Sequence, residues 1–343
     1  MSDILLKDKN IVGNFKKPYI IAEVNSSHNG SIEIAMEMIK KVKDAGCDCV
    51  KFQSWSAETL YSKTYYAKNP ISKRIVDKFA ISEHHMIELA KYSKEIGISF
   101  ASTPYSKAEV DILVDKIQVP FVKIASMEIN NYGYLSYIAK KGIPVILSTG
   151  MSDMDEIKKA VKVIEDTGNN QIVILHCVSI YPAPPGIINL NNIITLQKEF
   201  PNYVIGYSDH TLGTEVASAS IALGSAVIEK HFTLDKKMEG PDHSFSIDPA
   251  GLTTLVTQLK MINKMKGNGI KIPRESELNI RSAIRKSLTA KKMIRSGEII
   301  THEALSIKRP AEGIEPKYLD QIIGKKATRD IEEDTAINWH DIS

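Results

Sequence analysis

The chain has 343 residues, of which 43% are hydrophobic and 25% charged, and this composition suits one large globular domain plus a small one. The net charge is +3 with Lys and Arg scattered along the chain, which argues against a nucleic-acid-binding surface. No apolar run is long enough to span a bilayer or to form a signal-peptide core, so we expect a cytoplasmic protein with no membrane partner. Cys47, Cys49 and Cys177 lie in apolar runs, and we expect reduced core thiols.

Eight short apolar runs, rich in β-branched residues, predict β-strands at 19–23, 46–53, 98–104, 121–126, 144–150, 172–177, 204–210 and 226–231. Helical patterns separate nearly all of them, at 32–45, 82–96, 106–116, 132–141, 153–167 and 214–224, and a last helix is predicted at 249–266. Ser31 and Asp153 are predicted N-caps. Residues 54–80 are rich in Tyr and Lys and are predicted to form a long connection, functional or partly ordered as a lid.

This alternation predicts a parallel sheet, and eight units predict a closed (β/α)8 barrel of the TIM type. An open, doubly wound sheet is the alternative. It is less favoured because no G-x-G-x-x-G motif follows the first predicted strand.

The pattern changes after residue 266. We predict a barrel domain at 1–266, a linker at 267–284 and a small module at 285–343. The module holds a weak internal repeat, in which four positions match at one offset: Ala290 with Ala327, Ile294 with Ile331, Ile300 with Ile337 and Leu305 with Ile342. The repeat predicts two similar β-turn-β units around a core so small that docking on a larger body is expected.

Two histidines end the last two predicted strands. His210 and His231 are 21 positions apart (231 minus 210), with a helical pattern between them. If the strands are parallel neighbours, both imidazoles project from the same end of the sheet. Two histidines placed in this way can share a divalent metal ion.

Other side chains that could bind a ligand or take part in a reaction also follow the strands, as expected for a barrel whose loops converge at the carboxyl ends of its strands. Lys51 and Lys123 interrupt apolar runs, and an ammonium inside a barrel must be paired or liganded; with nearby hydroxyls the two suit a phosphate. Acidic residues suit a divalent metal and a proton acceptor: Glu23, Glu128, Asp209 and Asp242.

The motifs taken together resemble the sialic acid synthase family, which includes legionaminic and pseudaminic acid synthases. The resemblance covers nearly the whole chain and is carried by Ile21-Ala-Glu23, His28-Asn-Gly30, Val50-Lys-Phe-Gln53, Ser102-Thr-Pro104, Val122-Lys-Ile-Ala-Ser126, Leu147-Ser-Thr-Gly-Met151, His176-Cys177, Tyr181-Pro182, Tyr207-Ser-Asp-His210, Glu229-Lys-His231 and Gly240-Pro-Asp-His243. The tail, with Ala290-Lys-Lys and Lys308-Arg-Pro310, resembles the family's antifreeze-like (SAF) domain.

The resemblance implies a transferase that condenses phosphoenolpyruvate with the open-chain aldehyde of an N-acyl-mannosamine-type sugar and releases phosphate. It also implies a homodimer in which each tail domain caps the partner's barrel. N-acetylmannosamine is the first acceptor expected, giving N-acetylneuraminate; a 2,4-diacetamido-trideoxyhexose, the precursor of legionaminic or pseudaminic acid, is the alternative.

The resemblance also implies roles for single residues. Phosphoenolpyruvate would be held by Lys51, Thr103, Lys123, Ser126, Ser148, Ser179 and Ser208. His210 and His231 would ligate Mn²⁺ or Mg²⁺, and Glu128 would act near the attacking water. The sugar would meet Glu23, Gln53, Tyr181, Asp242 and, from the other subunit, Arg309.

The sequence departs from the family pattern beside the expected sugar site. Ser54-Trp55-Ser56 replaces a more usual Thr-aromatic-Lys, and Ser179 stands where some members have Asn. These departures bear on the choice of sugar, and apart from Ser179 the expected metal and phosphoenolpyruvate residues are intact.

Two further hypotheses come from other classes. One is a barrel aldolase with Lys123 as a Schiff base, against which the paired histidines speak. The other is a non-enzymatic carbohydrate-binding protein, which leaves the ring of polar groups at the strand ends unexplained.

Overall fold

The computed structural model describes residues 3–14 and 16–343. The chain divides into two compact units, Met1–Gly267 and Asn268–Ser343. Within the described residues, no helix is both long enough and apolar enough to cross a membrane.

The first unit is built on a parallel barrel. A short antiparallel hairpin, β1 (Ile4–Leu5) and β2 (Ile11–Val12), comes first. The barrel strands follow: β3 Tyr19–Glu23, β4 Cys49–Ser54, β5 Ser99–Pro104, β6 Val122–Ile124, β7 Val145–Ser148, β8 Ile172–Cys177, β9 Val204–Asp209 and β10 Val227–His231.

These eight strands pair in the order β5-β4-β3-β10-β9-β8-β7-β6, and every pair is parallel. The end strands β5 and β6 also lie side by side, so the sheet is a nearly closed barrel. The predicted (β/α)8 class is therefore confirmed, and the open doubly wound alternative is wrong.

Helices surround the barrel: α1 Ile32–Ala45, α2 Ala57–Leu60, α3 Lys63–Lys68, α4 Pro70–Phe79, α5 Glu83–Ile96, α6 Lys107–Asp111 (continuing as a π-helix, Ile112–Ile117), α7 Tyr132–Ala139, α8 Met154–Glu165, α9 Asn191–Glu199, α10 Glu215–Ala222 and α11 Pro249–Lys266. The predicted caps are confirmed: the Ser31 hydroxyl accepts from Ile34 N, and Asp153 forms a capping box with Glu156.

Two stretches hold more structure than the sequence predicted. Residues 54–80 contain three short helices, α2 to α4, each preceded by Ser or Asn. The expected linker contains a further helix, α12 (Glu275–Ile284). Segments this short carry too few periodic positions to be recognised before their neighbours are known.

The second unit is a small β-rich module. It contains β11 Ser287–Ala290 and β12 Leu305–Lys308, three 3₁₀ turns (His302–Ala304, Pro316–Tyr318 and Trp339–Asp341) and a short helix, α13 (Leu319–Ile322). All eight residues of the four repeat matches are buried in its core, and Ile294 pairs directly with Ile331. The repeat therefore corresponds to two similar halves of this module that share one core.

Candidate active site

A cavity of about 300 Å³ opens among the carboxyl ends of the barrel strands. The predicted residues that line it are Glu23, Lys51, Gln53, Thr103, Lys123, Ser126, Ser148, Ser179, Tyr181, Ser208, His210 and His231. Twelve of the fifteen predicted site residues thus come together, because parallel strands of a barrel end at one mouth.

Lys51 lies on one side of this pocket and is almost fully buried. Its ammonium donates to Thr103 Oγ1 at 2.9 Å, pairs with the Glu23 carboxylate and lies 3.6 Å from Glu229 Oε2. Burial lowers the pKa of Lys51 to about 7, although the charge of Glu229 opposes this shift. The ammonium is therefore held by its partners against a substantial desolvation cost.

Lys123 faces Lys51 across the pocket. Its ammonium donates to Ser148 Oγ at 2.7 Å and to the carbonyl oxygen of Ile124 at 3.2 Å. Nearby, Ser126 Oγ accepts from Gly150 N at 2.9 Å. Two ammonium groups and several hydroxyls in one pocket form a site suited to a phosphate or carboxylate.

Glu229 connects the two lysines, and the sequence analysis gave it no role. Its carboxylate accepts from Ser208 Oγ at 3.0 Å and lies 3.7 Å from the Lys123 ammonium. Its pKa is lowered: burial favours the neutral acid, but the charges of Lys123 and Lys51 outweigh burial. The available signal was its position two residues before His231, which places both side chains on the same face of a strand.

The two histidines stand beside this charged cluster. Their ring centroids are 5.5 Å apart, and the Tyr181 ring lies 4.1 Å from that of His210. His210 Nδ1 donates to the carbonyl oxygen of Val178 at 2.7 Å, which leaves Nε2 with its lone pair. Burial lowers the pKa of both imidazoles, so both are neutral at pH 7.

The pair fits a divalent metal ion held by two protein ligands. Neutral imidazoles are competent donors, and His231 Nδ1 is buried without a hydrogen-bond partner in the described part of the chain. Among residues 3–14 and 16–343, no group of three or more His, Cys, Asp or Glu side chains is placed to hold a metal.

Three predicted site residues do not line the pocket. Glu128 is mostly buried and accepts from Asn131 Nδ2 at 2.8 Å, although its neighbour Met127 does line the pocket. Asp242 accepts from Ser26 Oγ at 2.6 Å. Arg309 belongs to the second unit.

Aromatic side chains that the sequence analysis did not single out complete the surroundings. Tyr105 lines the pocket and donates to Gln53 Oε1 at 2.8 Å, and its ring meets that of Trp55 at 5.9 Å. Phe245 packs against His231, with ring centroids 5.2 Å apart. Tyr105 and Phe245 lie outside regular strands, so no alternation marked them.

A (β/α)8 barrel with cations, hydroxyls and two imidazoles converging at its mouth defines a barrel enzyme. The NeuB family signature matches residues 38–271, and the SAF domain signature matches residues 285–343. The chain belongs to the NeuB family, which confirms the resemblance to sialic acid synthases.

Individual relatives extend over the same length. An uncharacterized protein of Methanocaldococcus jannaschii is 46% identical over 100% of this chain and 99% of its own. The N,N'-diacetyllegionaminic acid synthase of Campylobacter jejuni is 41% identical, over 94% of this chain and 99% of its own. The N-acetylneuraminic acid (sialic acid) synthetase of Leptospira borgpetersenii, solved with citrate, superposes with a TM-score of 0.75 at 32% identity, covering 81% of this chain and 94% of that one.

Proposed function

We propose that this enzyme condenses phosphoenolpyruvate with the open-chain aldehyde of an N-acyl-mannosamine-type sugar, giving a nonulosonic acid and inorganic phosphate. The observation that carries the proposal is the pairing of a two-lysine anion site with a two-histidine site inside one cavity. Membership of the NeuB family supports the same reaction class.

Phosphoenolpyruvate carries a phosphate and a carboxylate, and the pocket offers partners for both. Lys51 and Lys123 neutralise anionic oxygens. The hydroxyls of Thr103 and Ser148 accept from these ammonium groups and keep their own protons to donate, while Ser208, in the same pocket, donates to Glu229. As the phosphate leaves, the ammonium groups stabilise the charge that develops on it.

Carbon–carbon bond formation joins C3 of phosphoenolpyruvate to the aldehyde carbon, and water then adds at C2 before phosphate departs. A Mn²⁺ or Mg²⁺ ion held by His210 and His231 would supply Lewis acidity at this end of the pocket. The role of Glu128 as acceptor of the proton of the attacking water is taken from the family resemblance, and Glu128 adjoins the pocket residue Met127. Gln53 and Tyr181 line the cavity and would orient the sugar.

Two sugars are proposed as the acceptor. N-acetylmannosamine is the first candidate, and a 2,4-diacetamido-trideoxyhexose is the second, favoured by the 41% identical relative named as an N,N'-diacetyllegionaminic acid synthase. A screen of both sugars with phosphoenolpyruvate and Mn²⁺, following phosphate release and product mass, tests the proposal. Release of phosphate with neither sugar would count against it.

The aldolase hypothesis is tested separately at Lys123. Its ammonium already donates to Ser148 and to a carbonyl oxygen, and a Schiff base would have to break both hydrogen bonds. Borohydride treatment in the presence of pyruvate is expected to leave Lys123 unlabelled. Covalent labelling of Lys123 would contradict the synthase proposal and support the aldolase hypothesis.

The homodimer and the role of Arg309 remain part of the proposal, implied by the resemblance alone. Arg309→Ala is expected to raise the acceptor KM about tenfold, the value of one charge-assisted contact, with little change in the phosphoenolpyruvate KM. At acceptor concentrations well below the raised KM, mixing Arg309→Ala protein with His231→Ala protein is expected to restore turnover above that of the two proteins measured separately, because one mixed site then has both residues. An unchanged acceptor KM, or no restoration after verified subunit exchange, would contradict the assignment.

A further inference from the structure

A buried ion pair joins the ends of β9 and β10 on the side of the sheet that faces away from the pocket. Lys230 Nζ lies 2.6 Å from Asp209 Oδ2, and both side chains are at most 2% exposed. Their neighbours Ser208 and Glu229 point into the pocket. Side chains alternate along a strand, so Asp209 and Lys230 occupy the opposite face.

The pair is held by a complete set of partners. Asp209 Oδ1 accepts from Tyr207 Oη at 3.2 Å, from Thr211 N at 2.9 Å and from Thr211 Oγ1 at 2.7 Å. Lys230 Nζ also donates to the carbonyl oxygen of Thr211 at 2.5 Å. The network thus fixes the backbone on both sides of His210, from Tyr207 to Thr211.

The Asp209–Lys230 pair lies at the end of the backbone pairing between β9 and β10. Asp209 and Lys230 are direct partners and are the last registered pair between β9 and β10. The residue that follows each of these two partners is a histidine, and the registered pairing of β9 with β10 ends before it. His231 remains paired with Glu23 of β3. Within the described residues, the Asp209–Lys230 ion pair therefore joins the two strand ends on the outer face, while the Ser208–Glu229 hydrogen bond joins them on the pocket face.

Stability alone does not account for such a pair. Replacing a buried ion pair with apolar side chains of similar volume is often neutral or stabilising, because desolvation offsets the attraction. What the pair supplies is a defined spacing. His210 is held by Val178 O. His231 Nδ1 has no hydrogen-bond partner among the described residues, so His231 is placed by its strand and by ring packing against Tyr181 and Phe245.

We propose that Asp209 and Lys230 are positioning residues that set the spacing of His210 and His231 for a shared divalent cation. This inference rests on the proposed function, since it assumes that the two imidazoles bind metal. It is independent of the identity of the sugar.

The test is Mn²⁺ affinity of metal-free protein, measured by electron paramagnetic resonance of free Mn²⁺, in the double variant Asp209→Leu/Lys230→Met. This variant removes both charges together, so neither is left buried and unpaired. We expect the Kd for Mn²⁺ to rise about tenfold or more, the scale seen when support of a metal ligand is lost. The variant is expected to fold with a lowered Tm, because Tyr207 Oη and Thr211 lose buried hydrogen-bond partners. The matched control, Asp166→Leu/Lys162→Met, removes an exposed pair at the C-terminal end of α8 and is expected to leave the Kd unchanged.

The outcomes separate the inference from the proposed function. A wild-type protein that binds no Mn²⁺ would refute the metal site, and the positioning role with it. Wild-type binding with an equal Kd in the folded double variant would overturn the positioning role alone. If the apolar variant does not fold, Asp209→Asn/Lys230→Gln, which keeps polar side chains of similar size, takes its place under the same criterion.

Discussion

The two halves of the barrel interior are built from the same strands and have opposite character. On the hairpin side, inward positions carry apolar side chains that pack with Ile4, Leu6 and Val12 in one buried cluster. On six of the eight strands, the inward position two residues further along carries a charge or a hydroxyl. The changes are Ile21 to Glu23, Cys49 to Lys51, Ala101 to Thr103, Phe121 to Lys123, Ile146 to Ser148 and Val227 to Glu229.

This contrast shows how one strand serves two purposes. A step of two residues keeps a side chain on the same face and moves it about 7 Å along the strand, from the apolar base to the polar mouth. The base stabilises the fold by burying apolar area, whereas the mouth holds Lys51, Lys123 and Glu229 in mutual contact at a desolvation cost. Four predictions test this division.

The largest effect is expected from the mouth. His231→Ala removes one of the two imidazoles, and turnover is expected to fall at least about 10³-fold, since Lewis-acid stabilisation is worth several kcal/mol. The base is untouched, so Tm should change little. Phosphate release measures turnover, and thermal unfolding measures Tm. As a control, the metal is removed from the wild-type protein with a chelator and Mn²⁺ is then added back. Full activity of the variant, or of chelated wild type, would contradict the metal role.

A substitution in the base should give the reverse result. Phe121→Ala leaves a cavity beneath the mouth and is expected to lower the free energy of unfolding by about 3–5 kcal/mol. Below its unfolding temperature the variant should keep kcat within about twofold. Lys123→Met, two residues further on, is the comparison and is expected to weaken phosphoenolpyruvate binding about tenfold or more. Equal losses of activity in both variants would contradict the division between an apolar base that stabilises the fold and a polar mouth that carries the chemistry.

The affinity of the mouth for phosphoenolpyruvate should also depend on pH in the neutral range. The pKa of Lys51 is lowered to about 7 by burial, so its ammonium is present below pH 7 and is lost as pH rises. Phosphoenolpyruvate affinity is expected to fall by up to about tenfold per pH unit above that value. Binding isotherms between pH 6 and pH 9 measure this, with Lys51→Met as a variant that lacks the step. A rise in affinity across this range would show that Lys51 does not hold the anion as an ammonium.

The smallest effect is expected at the base hydrogen bond between Tyr19 and the hairpin. Tyr19 Oη donates to Asp8 Oδ2 at 2.9 Å, and Ser99 Oγ donates to the same oxygen at 2.5 Å. Tyr19→Phe removes one donor while Ser99 stays, so we expect a loss of about 1 kcal/mol in the free energy of unfolding and no change in kcat. A loss of activity comparable to that of a mouth variant would mean that the base influences the chemistry.

Much of the fold and of the site was predictable from the sequence. Apolar runs of strand length, separated by amphipathic helical patterns, indicated eight βα units, and the rule that chemistry lies at the carboxyl ends of barrel strands located most of the pocket. Glu229 was not recognised, because an acid beside a histidine has no distinct pattern until the two lysines are brought to it from β4 and β6. The contact of Asp242 with the sugar stays a prediction: its carboxylate accepts from Ser26 Oγ and does not line the cavity.

The sequence by itself determined the alternation of inward and outward side chains, the eight units and the repeat of the tail, since these depend on local periodicity and on burial of apolar area. Tertiary structure alone decided which charges meet. Lys51, Lys123 and Glu229 converge in the pocket, while Asp209 and Lys230 pair behind it, although all five lie on similar short strands. The physical reason is that register between strands far apart in sequence sets the distances between charges, and no local pattern encodes that register.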